Sequence, residues 1–195
     1  MSIVIAASDS AHLIGAATAG GDGAGEKWTI AAAPGSGIVV LHGDSELATT
    51  VLHRLQSAPL PDDAIQQVIE GHAERAQQQV VAVRVDGRTG AFSGRAVVPV
   101  FGHARGTDHA AAGQRMASND PLGAMSLSME RSGGDSLSER LLLALESGLR
   151  SGADLLGLRC AQLVVIEKRG GTVVDLRVED HNDPAGELRR LLGTP

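Results

Sequence analysis

The chain has 195 residues with 17 lysines and arginines against 23 aspartates and glutamates, a formal charge of −6 at pH 7. Its cations are scattered rather than clustered, which argues against a nucleic-acid partner or an anionic membrane surface. Trp28, Phe92 and Phe101 are the only aromatic residues and Tyr is absent, so the core must be filled by Val, Leu, Ile, Ala and close Gly contacts, and a site of stacked rings is excluded.

A chain of this length is expected to form one domain, 1–195, and to bury roughly 70% of the surface its unfolded form exposes. No metal or disulfide is needed for that. The lone Cys160 has no internal partner, in agreement with a reducing compartment. Met1-Ser2-Ile3-Val4-Ile5 carries no basic segment before its short apolar stretch, and no run approaches the ~18 apolar residues that span a bilayer. The expectation is a soluble, cytoplasmic protein.

Apolar runs bounded by turn residues predict strands over Ser2 to Ala7, His12 to Ala19, Lys27 to Ala33 and Gly37 to His42, the last pair joined by Pro34-Gly35-Ser36. Helices are predicted over Asp44 to Gln56 and Ala64 to Gln77, the second with Ala64, Val68 and Ile69 on one face. Asp86-Gly87 is a strong hairpin signal between Val80 to Val85 and Gly90 to Ser93. Strands near Ala96 to Phe101 and Asp108 to Ala112 follow, then a helix around Gly113 to Met116 and a helix start at Asn119-Asp120-Pro121. Ser136 and Glu139 form a capping box ahead of a helix to Arg150. An apolar strand starts at Ala161, Val164 to Lys168 pairs with Thr172 to Val178 across Arg169-Gly170-Gly171, and a last helix covers Glu187 to Leu192. This order gives an α+β domain with antiparallel hairpins.

The run from Asp175 through Arg177, Glu179, Asp180, His181, Asp183 and Pro184 to Glu187-Leu188-Arg189-Arg190-Leu191 closely resembles the ending of the domain of unknown function 1028 family, usually placed in the N-terminal nucleophile (Ntn) hydrolase superfamily. The resemblance continues upstream in Ser138-Glu139-Arg140-Leu141-Leu142, in Phe92-Ser93-Gly94, and in Gly102-His103 with Arg105-Gly106. It implies a four-layer αββα sandwich of two antiparallel sheets covered by helices. It also implies a catalytic residue at the start of the mature chain, a Ser, Thr or Cys whose own α-amine is the base. Ser2 follows Met1 directly, and an α-amine with an ordinary pKa of about 8 accepts a proton near neutrality with little tuning.

The same positions have plainer readings. Met-Ser is among the commonest openings of any cytoplasmic protein. Family members usually open with Thr, an aromatic residue and then Ser-Ile-Val, and follow the second strand with a small and a basic residue where this chain has Gly20-Gly21-Asp22. His103 and Arg105 would present an imidazole and a guanidinium to a substrate carboxylate, or else belong to a surface loop. Arg177, Asp180 and His181 would form a supporting hydrogen-bonded trio, or else Asp180 or Asp183 caps the helix at Pro184 while Arg177 pairs with Glu179 or Asp175. Cys160 enters an apolar strand as a small hydrophobe is expected to, and around Gly113-Gln114-Arg115-Met116 the amides that line a polar pocket in the family are shuffled. Gly20 to Lys27 fails as a phosphate loop on spacing and on its acids Asp22 and Glu26. His103 and His109 are the only close histidine pair and lack partners at metal-ligand spacing.

Two functions are carried forward. The first is an Ntn-type hydrolase cleaving an amide or related acyl bond of a small molecule or peptide, with Ser2 as nucleophile and no cofactor or metal. The alternative is a non-catalytic subunit or ligand-binding module of the same fold in a homo-oligomer.

Overall fold

The structure, a computed structural model, describes residues 2–21, 28–42, 45–133, 135–152 and 157–193. Met1, Asp44 and the Asp22 to Lys27 part of the glycine patch, on which sequence expectations fall, lie outside the described residues.

Among the described residues two antiparallel sheets form. The chain makes β1 (Ser2–Ser8), β2 (Leu13–Gly20), β3 (Trp28–Ala33) and β4 (Gly37–His42), then α1 (Ser45–Leu55) and α2 (Pro61–Ile69). Next come β5 (Gln79–Arg84), β6 (Thr89–Ser93), β7 (Gly102–Arg105) and β8 (His109–Gln114). It ends with α3 (Asp120–Arg131), α4 (Leu137–Arg150), β9 (Cys160–Glu167), β10 (Thr172–Val178) and α5 (Pro184–Leu192). One sheet runs β10-β9-β2-β1-β8-β7 and the other β3-β4-β5-β6.

The fold is α+β and four-layered, αββα. Strand side chains alternate between faces, and in β1 the alternation separates two cores. Ile3, Ile5 and Ala7 pack under α3 and α4, while Val4 and Ala6 meet Ile38, Val40, Val81 and Val83 of the other sheet. The outer face of the smaller sheet, with Val39, Leu41, Val80 and Ala82, is covered by α1 and α2. β1 reads as one apolar run because both of its faces are covered.

Small residues bring these layers close. A Cβ at Gly15 would lie 2.6 Å from the Val164 carbonyl oxygen and 2.9 Å from a Leu141 methyl, and one at Gly148 would lie 2.7 Å from Met125 Cγ. α4 therefore approaches β2 and α3 closely at positions where side chains are missing.

Four expectations need correction. The strand at Ala96 to Phe101 is absent; Pro99 cannot donate to a ladder, and the segment is held by isolated bonds, Ala96 N–H to Ala76 O at 2.8 Å and Met116 N–H to Val100 O at 3.0 Å. Pairing begins instead at Gly102, opposite Gly113. No helix forms around Gly113 to Met116, because Gly113 and Gln114 are the last rungs of β8 against Ile3 and Ser2, and Arg115 turns away with φ 52°. α2 starts at Pro61, with Asp63 accepting the Leu60 N–H at 3.1 Å, and ends at Ile69, so only a single 3-10 turn, Arg75–Gln77, is helical beyond it. α5 starts three residues early because Asp183 accepts the Gly186 N–H at 2.9 Å and caps it.

Candidate functional site

The layer between the sheets is apolar along most of its length and turns polar at one end. On the larger sheet the end row is Gln114, Ser2, Gly20 and Cys160, successive partners across β8, β1, β2 and β9. The next row on the same face is Val4, Thr18, Gln162 and Arg177. Ser2, Thr18 and Gln114 are all buried, and burying polar side chains costs free energy unless they are hydrogen-bonded or used.

The facing sheet contributes its own polar end. Trp28 opens β3 opposite His42, the last residue of β4, and the two rings meet edge to face with centroids 5.2 Å apart. Gln79 opens β5, and its side-chain amide nitrogen lies 2.8 Å from Gly102 O, 3.1 Å from Gly113 O and 3.0 Å from Ser93 Oγ, tying one sheet to the other. Trp28 Nε1, His42 Nε2 and Gln79 Oε1 are buried with no hydrogen-bond partner among the described residues. Burial holds the His42 pKa down from 6.5 to about 4, so this imidazole is neutral at pH 7.

Ser2 is 2% exposed, and its Oγ accepts from the Gln114 side-chain amide at 3.4 Å. That long contact orients the hydroxyl without consuming its nucleophilic capacity. Across Gly20 from Ser2 opens a cavity of about 280 Å³ whose floor is Thr18, Gly20, Cys160 and Gln162. Trp28 and Ile30 make its apolar wall, and Arg177 and Glu179 stand at its outer edge. Cys160 is half-buried, with Sγ 3.3 Å from the carbonyl oxygens of Gly20 and Gly21.

The other sequence candidates scatter. His103 and Arg105 lie on β7, two strands from β1 and in register with Val4 and Ala6 rather than with Ser2. His103 Nδ1 is 3.0 Å from Ser93 Oγ, and Arg105 pairs with Asp62 at 2.6 Å, so both fasten the open edge of the sandwich. Burial, then the Arg105 charge, lowers the His103 pKa. The expected trio does not form. Arg177 pairs with Asp175 at 3.1 Å, Asp180 accepts from Arg159 Nε at 2.6 Å, and His181 Nδ1 accepts the Asp183 N–H at 3.0 Å. Of the three, only Arg177 lines the cavity, and Asp183 caps α5.

Gln79, Trp28 and His42 were not visible as site residues in the sequence. The one signal was a glutamine closing β8 and another opening β5, each at the end of an otherwise apolar strand.

The model of a family of unknown function, DUF1028, matches residues 1–188. The structure of protein SPO2555 from Silicibacter pomeroyi, which carries the same family model, superposes with a TM-score of 0.88 at 27% identity, covering 98% of this chain and 84% of that one. Anbu (ancestral beta-subunit) from Yersinia bercovieri superposes with a TM-score of 0.47 at 12% identity over 98% of this chain and 92% of its own. No curated protein matches the sequence. Among the described residues no helix is long and apolar enough to cross a membrane.

Proposed function

This chain belongs to the DUF1028 family, a family of unknown function, and from that premise we propose that it is an Ntn-type hydrolase that cleaves an amide or related acyl bond with Ser2 as nucleophile. The observation that carries the reading is the position of Ser2. It opens a central strand of the larger sheet and shares the face of Val4 and Ala6, so its hydroxyl lies at the polar end of the layer between the sheets, one glycine from a cavity.

The reaction needs the α-amine of Ser2, freed by removal of Met1. Near pH 8 about half of that amine is unprotonated, and this form takes the Oγ proton, directly or through one water, as Oγ attacks the carbonyl carbon. The tetrahedral oxyanion requires N–H donors; the Gln114 side-chain amide is already beside Oγ and is the donor at hand. Collapse breaks the C–N bond, the ammonium of Ser2 returns its proton to the leaving amine, and an ester on Oγ remains. A water deprotonated by the same amine opens that ester and restores Ser2. His103 and Arg105 take no part in these steps; they hold the sheet edges together.

The test is intact mass before and after exposure to a broad acylating electrophile, with Ser2→Ala in parallel. The reading expects a mass lacking Met1 and a single adduct that the variant does not form. Retention of Met1, or a free but inert Ser2, overturns it. A second reading, a non-catalytic ligand-binding subunit of a homo-oligomer, is favoured by the absence of any Lys or Arg bonded to Ser2 among the described residues. It expects Ser2→Ala to keep both assembly and ligand binding.

A further inference from the structure

The cavity beside Ser2 has features that the cleavage chemistry alone does not call for. At about 280 Å³ it lies at the small end of ligand sites, which suits a small ligand. One wall is apolar, Trp28 and Ile30, and the floor carries Thr18 and Gln162, a lining that accepts a short carbon chain on one side and an amide or hydroxyl on the other.

Both signs of charge stand at the far edge. Asp175 occupies Arg177 through Nε at 3.1 Å and Nη2 at 3.4 Å, and Nη1 has no partner among the described residues. That ion pair is exposed, so it is held weakly and a ligand carboxylate can share it at little cost. Glu179 stands at the same edge. A simple anion meets Glu179 and Asp175, and a simple cation meets Arg177; a zwitterion satisfies both. From β1 to β10 there are three inter-strand steps, roughly 14 Å, and the cavity that Arg177 and Glu179 help to line lies on the β2, β9 and β10 side of Ser2.

We infer that this cavity is an amino-acid pocket taking a small amino acid that ends in a side-chain amide, with the amide toward Ser2, the α-carboxylate on Arg177 and the α-ammonium on Glu179. The inference rests on the hydrolase reading for which bond is cut, and not for which molecule is bound. Cleavage would release ammonia and leave the acidic amino acid: the C–N bond breaks, the acyl carbon passes to Ser2 Oγ, and water then supplies the hydroxyl of the product acid.

Calorimetric titration tests it on the full chain. Ser2→Ala, which cannot form the ester, is titrated with L-glutamine and L-asparagine, and the unaltered chain with L-glutamate, which has no amide to cleave. Glutaramic acid, lacking the ammonium group, and 4-aminobutanamide, lacking the carboxylate, are titrated alongside. The expected result is one site, with affinity falling about tenfold to a hundredfold when either ligand charge is removed, and by a similar factor in Arg177→Gln or Glu179→Gln. Arg177→Gln should not weaken 4-aminobutanamide further, because the missing carboxylate and the missing guanidinium are one interaction. Absence of binding by every zwitterion at millimolar concentration, or binding that neither substitution weakens, overturns the inference. If Ser2→Ala binds L-glutamine while wild-type Ser2 resists every electrophile, the pocket stands and the hydrolase reading falls. If Ser2 is labelled and no zwitterion binds, the reverse holds.

Discussion

Gln114 Nε2 lies 3.4 Å from Ser2 Oγ, and the two residues face each other across the β8–β1 ladder at the end of the sandwich. The amide and its hydroxyl partner are both buried. Gln114→Leu keeps the side-chain bulk and removes the donor. The expected outcome is a folded protein, with unfolding free energy lowered by no more than about 1.5 kcal/mol, the range of one neutral hydrogen bond. The rate of Ser2 acylation should fall about tenfold or more, because an oriented donor near a developing oxyanion counts for more than it does in the ground state. Denaturant titration and the time course of adduct mass measure the two effects separately.

Much of this arrangement was legible in the sequence, and the physics of the exceptions is consistent. β4 (Gly37–His42) and β10 (Thr172–Val178) were read at their observed bounds because turn residues punctuate both ends, and the Ser136 and Glu139 capping box fixed the start of α4. β7 was misplaced because Gly102-His103-Ala104-Arg105 has no apolar alternation; it is an edge strand that exists through pairing with β8. The cavity was invisible for a related reason. Gly20, Trp28, Cys160 and Arg177 come from four strands spread along the chain, and only the register of the two sheets brings them together.

His109 Nε2 lies 2.7 Å from Ser126 Oγ, and its Nδ1 lies 3.0 Å from Asp108 Oδ1. The spacing imitates a hydrolytic triad, yet Ser126 sits in the middle of α3, where backbone N–H groups are spent on the helix and cannot form an oxyanion hole. The ring is 1% exposed and packs on Gly106, where even a methyl group would collide with it. This is a clip between β8 and α3. Ser126→Ala should leave electrophile labelling unchanged, while His109→Ala should cost about 2–4 kcal/mol by emptying a buried, doubly bonded site. Labelling that disappears with Ser126 would reverse the assignment.

Stability should fall on mild acidification, and His42 supplies part of the slope. Its folded pKa is about 4 against an ordinary 6.5, through burial, so below pH 6.5 the unfolded chain binds a proton that the fold refuses. That contribution is fully present above pH 6.5 and is lost as pH falls toward 4. The lowered His103 pKa acts in the same direction. His42→Gln should flatten the curve of melting temperature against pH between 6.5 and 4, and a slope identical to that of the unaltered chain would show that His42 is accessible to protons in the fold.

Gly15 and Gly148 both mark close approaches, but they should answer to alanine differently. At Gly148 the obstacle is the flexible Met125 side chain at 2.7 Å. Replacing a helical glycine also gains up to about 1 kcal/mol of helix propensity, so the net loss should stay near 1 kcal/mol. At Gly15 the obstacle includes the Val164 carbonyl oxygen at 2.6 Å, which belongs to the β2–β9 ladder and cannot step aside. Gly15→Ala should therefore cost more than Gly148→Ala, about 2–3 kcal/mol or more. Equal midpoints in urea would mean that the sheet yields as easily as a methionine.

The turn after β10 is built to stay closed rather than to react, and its residues should sort accordingly. Arg159 binds Asp180 and Asn182, its carbonyl accepts the His181 N–H at 2.9 Å, and its own N–H reaches Gly20 O at 3.0 Å, so the joint is pinned to the strand that borders the cavity. Asp183 then caps α5. Asp183→Ala should cost about 1 kcal/mol as a lost cap, and His181→Gln, whose ring faces its own turn, should leave the rate of Ser2 acylation within twofold. Arg159→Ala is the informative change. It releases the far wall of the cavity without touching a ligand group, so amino-acid affinity should weaken together with stability, whereas Arg177→Gln should weaken affinity alone. An Arg159→Ala protein that is destabilised but binds with undiminished affinity would show that the cavity holds its shape without the joint.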